Sequence, residues 1–381
     1  MTSGLISPIS GAPLVADTPH SLACPGERWP VVDAIPYLRT GRGELVAETL
    51  AALDRGDPES ALAVLLADQD DWWDGPPAPE ADLRAVIRER WALSLRDAMD
   101  LLGFGRVGDY FAHRWSDPTY LAGLALIEAH WTGPATAFEL ACGIGHYLGE
   151  LTDRGVAVTG ADVVFSKLWL ARGWVVGPDA TFVCFDASGR WPIPHLRADL
   201  VLCQDAFYFL EPKAHVLSEL RRVAEPLGVL DIGHVHNREA DNLSAGAGVT
   251  AAEMEAFFPD GLLYDDAELT GAAAEGIRPG PRPGSELRRV EAFAVAAGPG
   301  RPAGPATLSG LLTLPRVPEA VRPNPLYAAA GKGEERVAWP SERYRREYEG
   351  AATYPVMRRT GAGITTAGLR RREFVALPER W

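Results

Sequence analysis

The stretch FELACGIGHYLGEL, residues 138–151, places an acid and two glycines around one short turn. Gly143 and Gly145 come directly after an apolar run that contains Glu139. Glycine in a loop costs conformational entropy, so two in one turn indicate that something must approach the backbone closely. The turn is therefore the first candidate for a ligand-binding site.

Polar residues also end three later apolar runs. Asp162 ends VTGAD, Asp186 follows TFVCF, and Gln204 and Asp205 follow ADLVLC. If these runs are parallel strands, their carboxyl ends meet at one edge of a sheet, where open α/β sheets bind ligands. The four sites would then surround one crevice.

The elements that would position these residues alternate between strands and helices. The patterns predict strands over 136–141, 157–162, 180–187, 198–205 and 228–236, and helices over 146–155, 166–174 and 213–225. This order predicts an α/β fold with a doubly wound, mostly parallel, seven-stranded sheet. Residues 288–298 could supply a late antiparallel strand, and the sheet would carry a small N-terminal segment and a C-terminal appendage.

Two ligand classes fit a glycine turn between the first strand and the first helix. A dinucleotide-binding turn has the pattern G-x-G-x-x-G. Gly143 and Gly145 match its first two glycines, but Leu148 stands at the third. The acid within the preceding strand is also not part of that pattern. The sequence therefore favours another ligand over a dinucleotide.

Residues 139–145, E-L-A-C-G-I-G, resemble the first motif of class I S-adenosylmethionine-dependent methyltransferases, with Ala141 at the first glycine of that motif. Residues 221–233, RRVAEPLGVLDIG, resemble a later helix and strand of the same family, with Leu227-Gly228 in place of two glycines. The resemblance covers about residues 105–240. It implies the class I fold, S-adenosylmethionine as cofactor, and methyl transfer as the reaction.

The resemblance also implies roles for individual residues. Glu139 would meet the cofactor's amino end, and the turn would pass beneath its methionine part and ribose. Asp162 would accept hydrogen bonds from both ribose hydroxyls. The predicted cofactor-binding set is Glu139, Ala141, Gly143, Gly145, Asp162, Asp186, Ala187, Gln204 and Arg114.

The expected contacts of three members of this set can be specified further. Asp186 would accept from the adenine amino group, with the Ala187 backbone N–H beside it. Arg114 would pair with the cofactor's carboxylate, although an ordinary surface ion pair explains it equally well. A methyl group at Ala141 is tolerated if its φ is negative.

Catalytic candidates follow the fourth and fifth strands. His234 and His236 in GHVHN lie on the same side of an extended segment, and histidine can act as a base near neutral pH. We predict one of them as the base, with Asp205 as the third catalytic candidate. The alternative is that both histidines only bind loop backbone. We expect no metal site, because no third ligand of fitting spacing accompanies the pair.

Contacts to the methyl acceptor are expected at the same rim. Tyr208 lies in an aromatic cluster directly after Asp205, and Asn237 follows the histidine pair. Asn242 and Ser244 belong to a polar loop, DNLSAGAG. We predict Tyr208, Asn237 and Asn242 as acceptor-binding residues, with Ser244 in the same loop.

The chain divides by composition into three parts. We predict an N-terminal ribbon-like and helical segment over 1–75, the cofactor-binding domain over 82–300, and a C-terminal appendage over 301–381. Residues 21–39 resemble the zinc-ribbon-like domain of the tRNA-methyltransferase activator family, but Glu27 replaces the partner of Cys24, which predicts a metal-free version. The aromatic appendage would cover the active site or pack against another surface.

Composition limits the choice of partners. The 381 residues carry a formal net charge of −14, which argues against a broad nucleic-acid footprint. The start of the chain does not read as a signal peptide and no run approaches the ~20 apolar residues of a membrane span. We therefore expect a cytoplasmic methyltransferase acting on a small metabolite or natural-product acceptor, and a homodimer stays open. The alternatives are an RNA methyltransferase and a non-catalytic binding protein with this fold.

Overall fold

The computed structural model describes residues 4–243 and 246–381, which form a central seven-stranded sheet and three smaller sheets. The predicted division into residues 1–75, 82–300 and 301–381 stays a prediction. The strands of the N-terminal part are β1 (Val15–Thr18), β2 (Ser21–Cys24), β3 (Glu27–Val32) and β4 (Ile35–Pro36). They pair in that order as an antiparallel sheet.

Six helices connect this sheet to the central one. They are α1 (Gly43–Asp54), α2 (Pro58–Leu66), α3 (Glu80–Glu89), α4 (Leu95–Leu101), α5 (Gly105–His113) and α6 (Pro118–Ala129). Asp57 caps α2 by accepting a hydrogen bond from the Ser60 N–H at 3.0 Å, with Pro58 at the first helical position. Every residue of α6 is buried.

The central sheet follows the predicted alternation. Its elements are β5 (Thr136–Leu140), α7 (His146–Thr152), β6 (Ala157–Asp162), α8 (Phe165–Leu170), β7 (Thr181–Cys184), β8 (Leu200–Gln204), α9 (Lys213–Ala224), β9 (Val229–His236), α10 (Ala251–Phe257), β10 (Leu262–Asp265), α11 (Asp266–Glu275) and β11 (Ala292–Ala297). The strand order is β10-β11-β9-β8-β5-β6-β7. Strands β5 to β9 are parallel and β11 is antiparallel to both neighbours, which confirms the doubly wound sheet and its late antiparallel strand.

Burial on both faces explains why the central strands are apolar runs without strict alternation. All five residues of β8 and all eight of β9 are buried. Successive residues of β5, Ala137 and Phe138, pack into different hydrophobic clusters on opposite faces. The polar ends of these strands therefore stand out because they lie where the apolar packing stops.

The N-terminal sheet continues the central one at its edge. Tyr37, just after β4, forms a bridge with Cys184 of β7, and the Leu38 N–H donates to the Cys184 carbonyl at 2.7 Å. The Tyr37 hydroxyl donates to the buried carboxylate of Asp68 at 2.6 Å. These contacts hold residues 37–39 next to the carboxyl end of the sheet.

The C-terminal part wraps around the central domain before it folds into small elements. They are β12 (Val321–Pro323), β13 (Tyr327–Gly331), β14 (Glu334–Val337), α12 (Glu342–Tyr348), β15 (Met357–Arg359), α13 (Thr366–Arg370) and β16 (Phe374–Ala376). The wrap is fixed by Glu128 of α6, whose carboxylate accepts backbone N–H bonds from Gly310, Leu312 and Thr313 at 2.7–2.9 Å. It brings α12 to the carboxyl end of the sheet.

Candidate active site

A cavity of about 610 Å³ lies at the carboxyl ends of the central strands. Parts of the chain far apart in sequence form its walls: Arg39 and residues 69–74, helix α5, the glycine turn, and helix α12. Most of the predicted site residues line it, namely Arg114, Glu139, Ala141, Gly143, Asp162, Asp186, Ala187, Gln204, Asp205, Tyr208 and His236. His234, Gly145, Asn237 and Asn242 lie outside its lining.

The two glycines of the turn serve different purposes. Gly143 lines the cavity at φ +55°, in the left-handed region that favours glycine. Gly145 caps α7 at φ +81°, and a Cβ there would lie 2.5 Å from Cγ2 of Val176. The structure therefore explains Gly145 by the packing of the turn, whereas Gly143 is the glycine that faces the cavity.

Ala141 does not meet the condition under which its methyl group is tolerated. Its φ is +54° rather than negative, so a residue with a Cβ stands in the left-handed region. The position therefore holds an alanine in a backbone conformation that favours glycine.

Asp162 holds the glycine turn from the end of β6. Its Oδ2 accepts the Gly143 N–H at 2.9 Å, and its Oδ1 accepts the Val164 N–H at 2.9 Å. Lys167 lies 3.9 Å from Oδ1. A carboxylate has further acceptor capacity on both oxygens, so the same group can also accept from a diol. Asp186, at the same edge, accepts the Ser188 N–H at 2.8 Å.

The buried carboxyl group of Glu139 has an oxygen without a hydrogen-bond partner among the described residues. Its side chain is 2 % exposed, and this oxygen is Oε2. Burial raises the pKa of this carboxyl well above its usual value, and Asp162 adds to the effect while Arg114 opposes it. Glu139 lines the cavity, so a cationic group of a ligand, such as the ammonium of S-adenosylmethionine, fits beside this carboxyl group.

Asp205 is the centre of a charged and aromatic cluster. Its Oδ2 accepts from the Tyr110 hydroxyl at 2.7 Å and lies 3.2 Å from a guanidinium nitrogen of Arg114, and its Oδ1 accepts from the Tyr208 hydroxyl at 2.7 Å. Burial opposes ionisation, but the charges of His234 and Arg114 hold the pKa of Asp205 below its usual value. Arg114 thus already has a carboxylate partner inside the protein.

The two histidines differ in environment. His234 donates from Nδ1 to Asp266 at 3.0 Å and its Nε2 lies 3.9 Å from Asp205. Burial lowers its pKa, but these two carboxylates outweigh burial and raise it to about 9. Burial and the charge of His234 lower the pKa of His236 to about 4. His236 is therefore the neutral imidazole, and it is the one that lines the cavity.

The expectation that no third metal ligand is available is wrong. Asp205, His234 and His236 offer ligand atoms that all lie within 4.8 Å of one another. However, both oxygens of Asp205 already accept from tyrosine hydroxyls, and Arg114 lies against one of them. His234 donates to Asp266. The described contacts therefore fit a network of hydrogen bonds and ion pairs better than a vacant cation site.

The predicted acceptor residues are only partly brought together. Tyr208 lines the cavity, with its ring edge against His236 at 4.6 Å between centroids. The Asn237 amide instead donates to the carbonyls of Arg288 and Val290, and it is fully buried. Asn242 donates to the Asn237 carbonyl at 2.8 Å. Both side chains donate to backbone carbonyls and lie outside the cavity lining, so their acceptor contacts stay predictions, and Ser244 lies outside the described residues.

Several cavity residues escaped the sequence analysis. The acidic, Pro-rich composition of residues 68–82 predicts a linker, yet Trp72 and Trp73 line the cavity. The ring of Trp72 packs against that of Phe209, with 5.3 Å between the ring centroids. Arg39 of the N-terminal segment also lines it, held by Asp68 at 2.7 Å. Two adjacent tryptophans are unusual in a solvated linker, so this pair could have indicated that the segment packs against the protein. Arg39 had no signal, because only the folded chain brings it here.

The C-terminal appendage reaches the same cavity. Tyr344, Glu347 and Tyr348 of α12 line it, and the Tyr344 hydroxyl donates to the buried carboxylate of Asp117, at the start of α6. The sequence left open whether this segment covers the active site. The structure places it there, as a wall of the cavity.

The chain was compared with known families and structures. A family model described as a methyltransferase domain matches residues 138–232, which run from β5 to β9. No curated protein matches the chain. Within residues 4–243 and 246–381, no helix has both the length and the apolar character that spanning a bilayer requires.

Several solved structures resemble parts of the chain. One is a SAM-dependent methyltransferase from Thermotoga maritima (16% identity, TM-score 0.34, 49% of this chain and 90% of that one). Another is phosphoethanolamine N-methyltransferase 2 from Haemonchus contortus (16% identity, TM-score 0.38, 54% and 60%). A third belongs to a Haloferax volcanii complex of the Trm112 methyltransferase activator with a methyltransferase (20% identity, TM-score 0.37, 53% and 96%).

Proposed function

We propose that this class I S-adenosylmethionine-dependent methyltransferase transfers a methyl group to a small molecule bound in the cavity between β8, β9 and helix α12. The observation that carries the proposal is the unpartnered, buried carboxylate oxygen of Glu139 beside the glycine turn. That oxygen is where the matched methyltransferase domain would hold a cationic end of its cofactor. The cytoplasmic location predicted from the sequence belongs to the same proposal.

The cofactor supplies a methyl group on a sulfonium centre, which needs only an aligned nucleophile. Glu139 would hold the amino end, and Asp162 would accept from the ribose hydroxyls while it keeps the Gly143 N–H in place. Asp186 and Ala187 line the part of the cavity beyond β7, where the adenine would lie. Arg114, with Asp205 as its partner, would fix the boundary between cofactor and acceptor.

His236 is the residue best suited to take a proton from the acceptor. It lines the cavity, and its Nδ1 has no hydrogen-bond partner among the described residues, although the Glu291 carboxylate lies 3.8 Å away. Its imidazole is neutral at neutral pH because its pKa is lowered to about 4. His234 is charged and already bonded to Asp266. It would therefore act through Asp205 as a positioning residue, without touching the acceptor.

A small acceptor is favoured over RNA by the walls of the cavity. Residues 69–74, α5 and α12 form walls of the cavity. Carboxylates in the lining, such as Asp70, Asp74 and Glu347, outnumber the cations that could meet phosphates.

Isothermal titration with S-adenosylmethionine, S-adenosylhomocysteine and NAD tests the cofactor directly. We expect micromolar binding of the first two and none of NAD. Binding of none of the three would move the non-catalytic reading to the front.

The ribose assignment has its own test. We expect Asp162→Asn to weaken S-adenosylmethionine binding about tenfold, because a carboxylate is replaced by a weaker acceptor. Asp260→Asn, on the exposed surface, is the matched control and should leave affinity unchanged. Unchanged affinity of Asp162→Asn with an intact melting curve would remove Asp162 from the cofactor site.

A further inference from the structure

One end of the cavity, which we call the acceptor end, is built from Asp205, Tyr208, His236, Glu347 and Tyr348. Its residues come from the carboxyl ends of β8 and β9 and from helix α12, and Asp205 lies 3.2 Å from Arg114. These five residues are the ones that a bound acceptor would meet next to the methyl group.

Negative charge exceeds matched positive charge at the acceptor end. The two buried cations there are already paired: Arg114 lies 3.2 Å from Asp205, and His234 lies 3.0 Å from Asp266. Glu347, in contrast, has no ion pair among the described residues, and its one hydrogen bond comes from the Tyr348 hydroxyl at 3.1 Å. A carboxylate is therefore left in the wall without a cation.

Two carboxyls here have raised pKa values, in part because of this excess. Burial and the charge of Asp205 both raise the pKa of Glu347, and burial and other carboxylates raise the pKa of Glu291 behind His236. Arg343, on the same helix as Glu347, partly offsets it but donates to the Leu243 carbonyl at 3.2 Å. A cationic ligand would relieve the repulsion that these carboxyls now share.

Aromatic rings surround the same space. Tyr208 and Tyr348 line it directly, and Tyr110 and Tyr344 stand beside them. The faces of such rings attract cations, and the attraction grows when the site is shielded from water. Arg114 already uses this effect, with its guanidinium 5.0 Å from the centre of the Tyr110 ring. Carboxylates combined with tyrosine rings make a binding site for organic ammonium groups.

We propose that the acceptor is an amine, recognised as an ammonium ion between Glu347 and the tyrosine rings of the acceptor end. The proposal rests on the proposed methyl transfer and names its substrate class. The attacking nitrogen must first lose a proton to solvent, and neutral His236 can relay it. The nitrogen lone pair then forms the bond to the methyl carbon, and the electrons of the broken carbon–sulfur bond stay on sulfur.

Binding of a cation that cannot be methylated tests recognition without turnover. Choline and its neutral carbon isostere 3,3-dimethylbutan-1-ol are titrated into protein saturated with S-adenosylhomocysteine. We expect choline to bind about tenfold more tightly, which matches the usual strength of a shielded cation–π and carboxylate site. Equal binding, or no binding of choline, overturns the proposal.

A pair of variants on helix α12 assigns the effect to Glu347. We expect Glu347→Gln to remove most of the preference for choline. Glu342→Gln on the same helix should keep it, because Glu342 is exposed and pairs with Arg345 at 2.7 Å. Loss of the preference in both variants, or in neither, contradicts the assignment.

Turnover assays distinguish the amine proposal from the methyltransferase function on which it rests. S-adenosylhomocysteine release is measured with 2-phenylethylamine and with 2-phenylethanol. Methylation of the amine supports the proposal. Methylation of the alcohol alone overturns it but leaves the methyltransferase function intact, whereas failure to bind S-adenosylmethionine at all counts against the function itself.

Discussion

Three residues in the left-handed backbone region lie at the carboxyl ends of neighbouring strands. Ala141 follows β5 at φ +54°, Asp205 follows β8 at φ +53°, and His234 lies in β9 at φ +48°. Each carries a Cβ in a region that disfavours one. Such conformations persist where the surrounding structure enforces them, and they concentrate at functional sites. Here they turn Asp205 and the two histidines towards one another.

Ala141 allows the strain to be measured. We expect Ala141→Gly to raise the free energy of unfolding by about 1 kcal/mol, because glycine adopts a positive φ without the Cβ clash, less its extra entropy in the unfolded chain. Chemical denaturation of the two proteins measures the difference. A loss of stability would mean that the Ala141 methyl contributes packing that outweighs the backbone strain.

His236 should control the pH dependence of turnover in an unusual way. Because its pKa is lowered to about 4, the imidazole stays neutral from about pH 5 upwards, and protonation should remove activity only as the pH falls towards 4. We expect no inflection near pH 6.5, the ordinary value for histidine. A profile of kcat/KM against pH checks this, and an inflection near 6.5 that vanishes in His236→Gln would contradict the assigned environment.

The same substitution tests the role of the side chain. We expect His236→Gln to lower kcat about a hundredfold, within the usual range for removing a general base, while the Kd for S-adenosylmethionine stays unchanged. His20→Gln is a control, since His20 lies half-buried beside Asp54 in the N-terminal part. Equal losses in kcat and in cofactor affinity would indicate that His236 binds the cofactor instead.

At the scale of elements, Glu128 joins helix α6 to the C-terminal wrap. Its carboxylate accepts three backbone N–H groups and the hydroxyls of Ser309 and Thr313. Burial raises the pKa of this carboxyl, but the backbone donors outweigh it and hold the pKa below its usual value. One side chain thus fixes the path of the segment that leads to α12.

We expect Glu128→Gln to lower the free energy of unfolding by about 2 kcal/mol, since hydrogen bonds to a charged acceptor are lost. The contribution of a carboxyl with a depressed pKa is complete above the unfolded pKa and is lost as the pH falls through the folded value. The difference between the two proteins should therefore be full at pH 7 and should shrink below about pH 4.5. A difference that does not change with pH would exclude ionisation of Glu128 as its origin.

The elements of the central sheet could be predicted because their signals are local. Buried parallel strands read as apolar runs, and Glu139, Asp162 and Asp186 mark their ends. The different protonation states of His234 and His236 could not be predicted from the sequence, because they depend on a contact with Asp266, which lies in helix α11. The same holds for the sign of φ at Ala141 and for Glu347, whose place in the cavity depends on the path of the wrap.

At the scale of the whole molecule, the charge separates small acceptors from nucleic acids. With a net charge of −14, the protein as a whole repels a polyanion. We expect no binding of tRNA tighter than about 100 µM at physiological salt, measured by fluorescence anisotropy. Micromolar binding that weakens steeply with added salt would restore the RNA alternative.

The bridge between Tyr37 and Cys184 has a consequence for how the site is assembled. Arg39 enters the cavity from a small sheet that could in principle have been a separate subunit. As part of the same chain it is present at a high effective concentration, so dilution does not remove it. The chain therefore carries this part of the cavity wall itself, and diluting the protein should leave Arg39 in place.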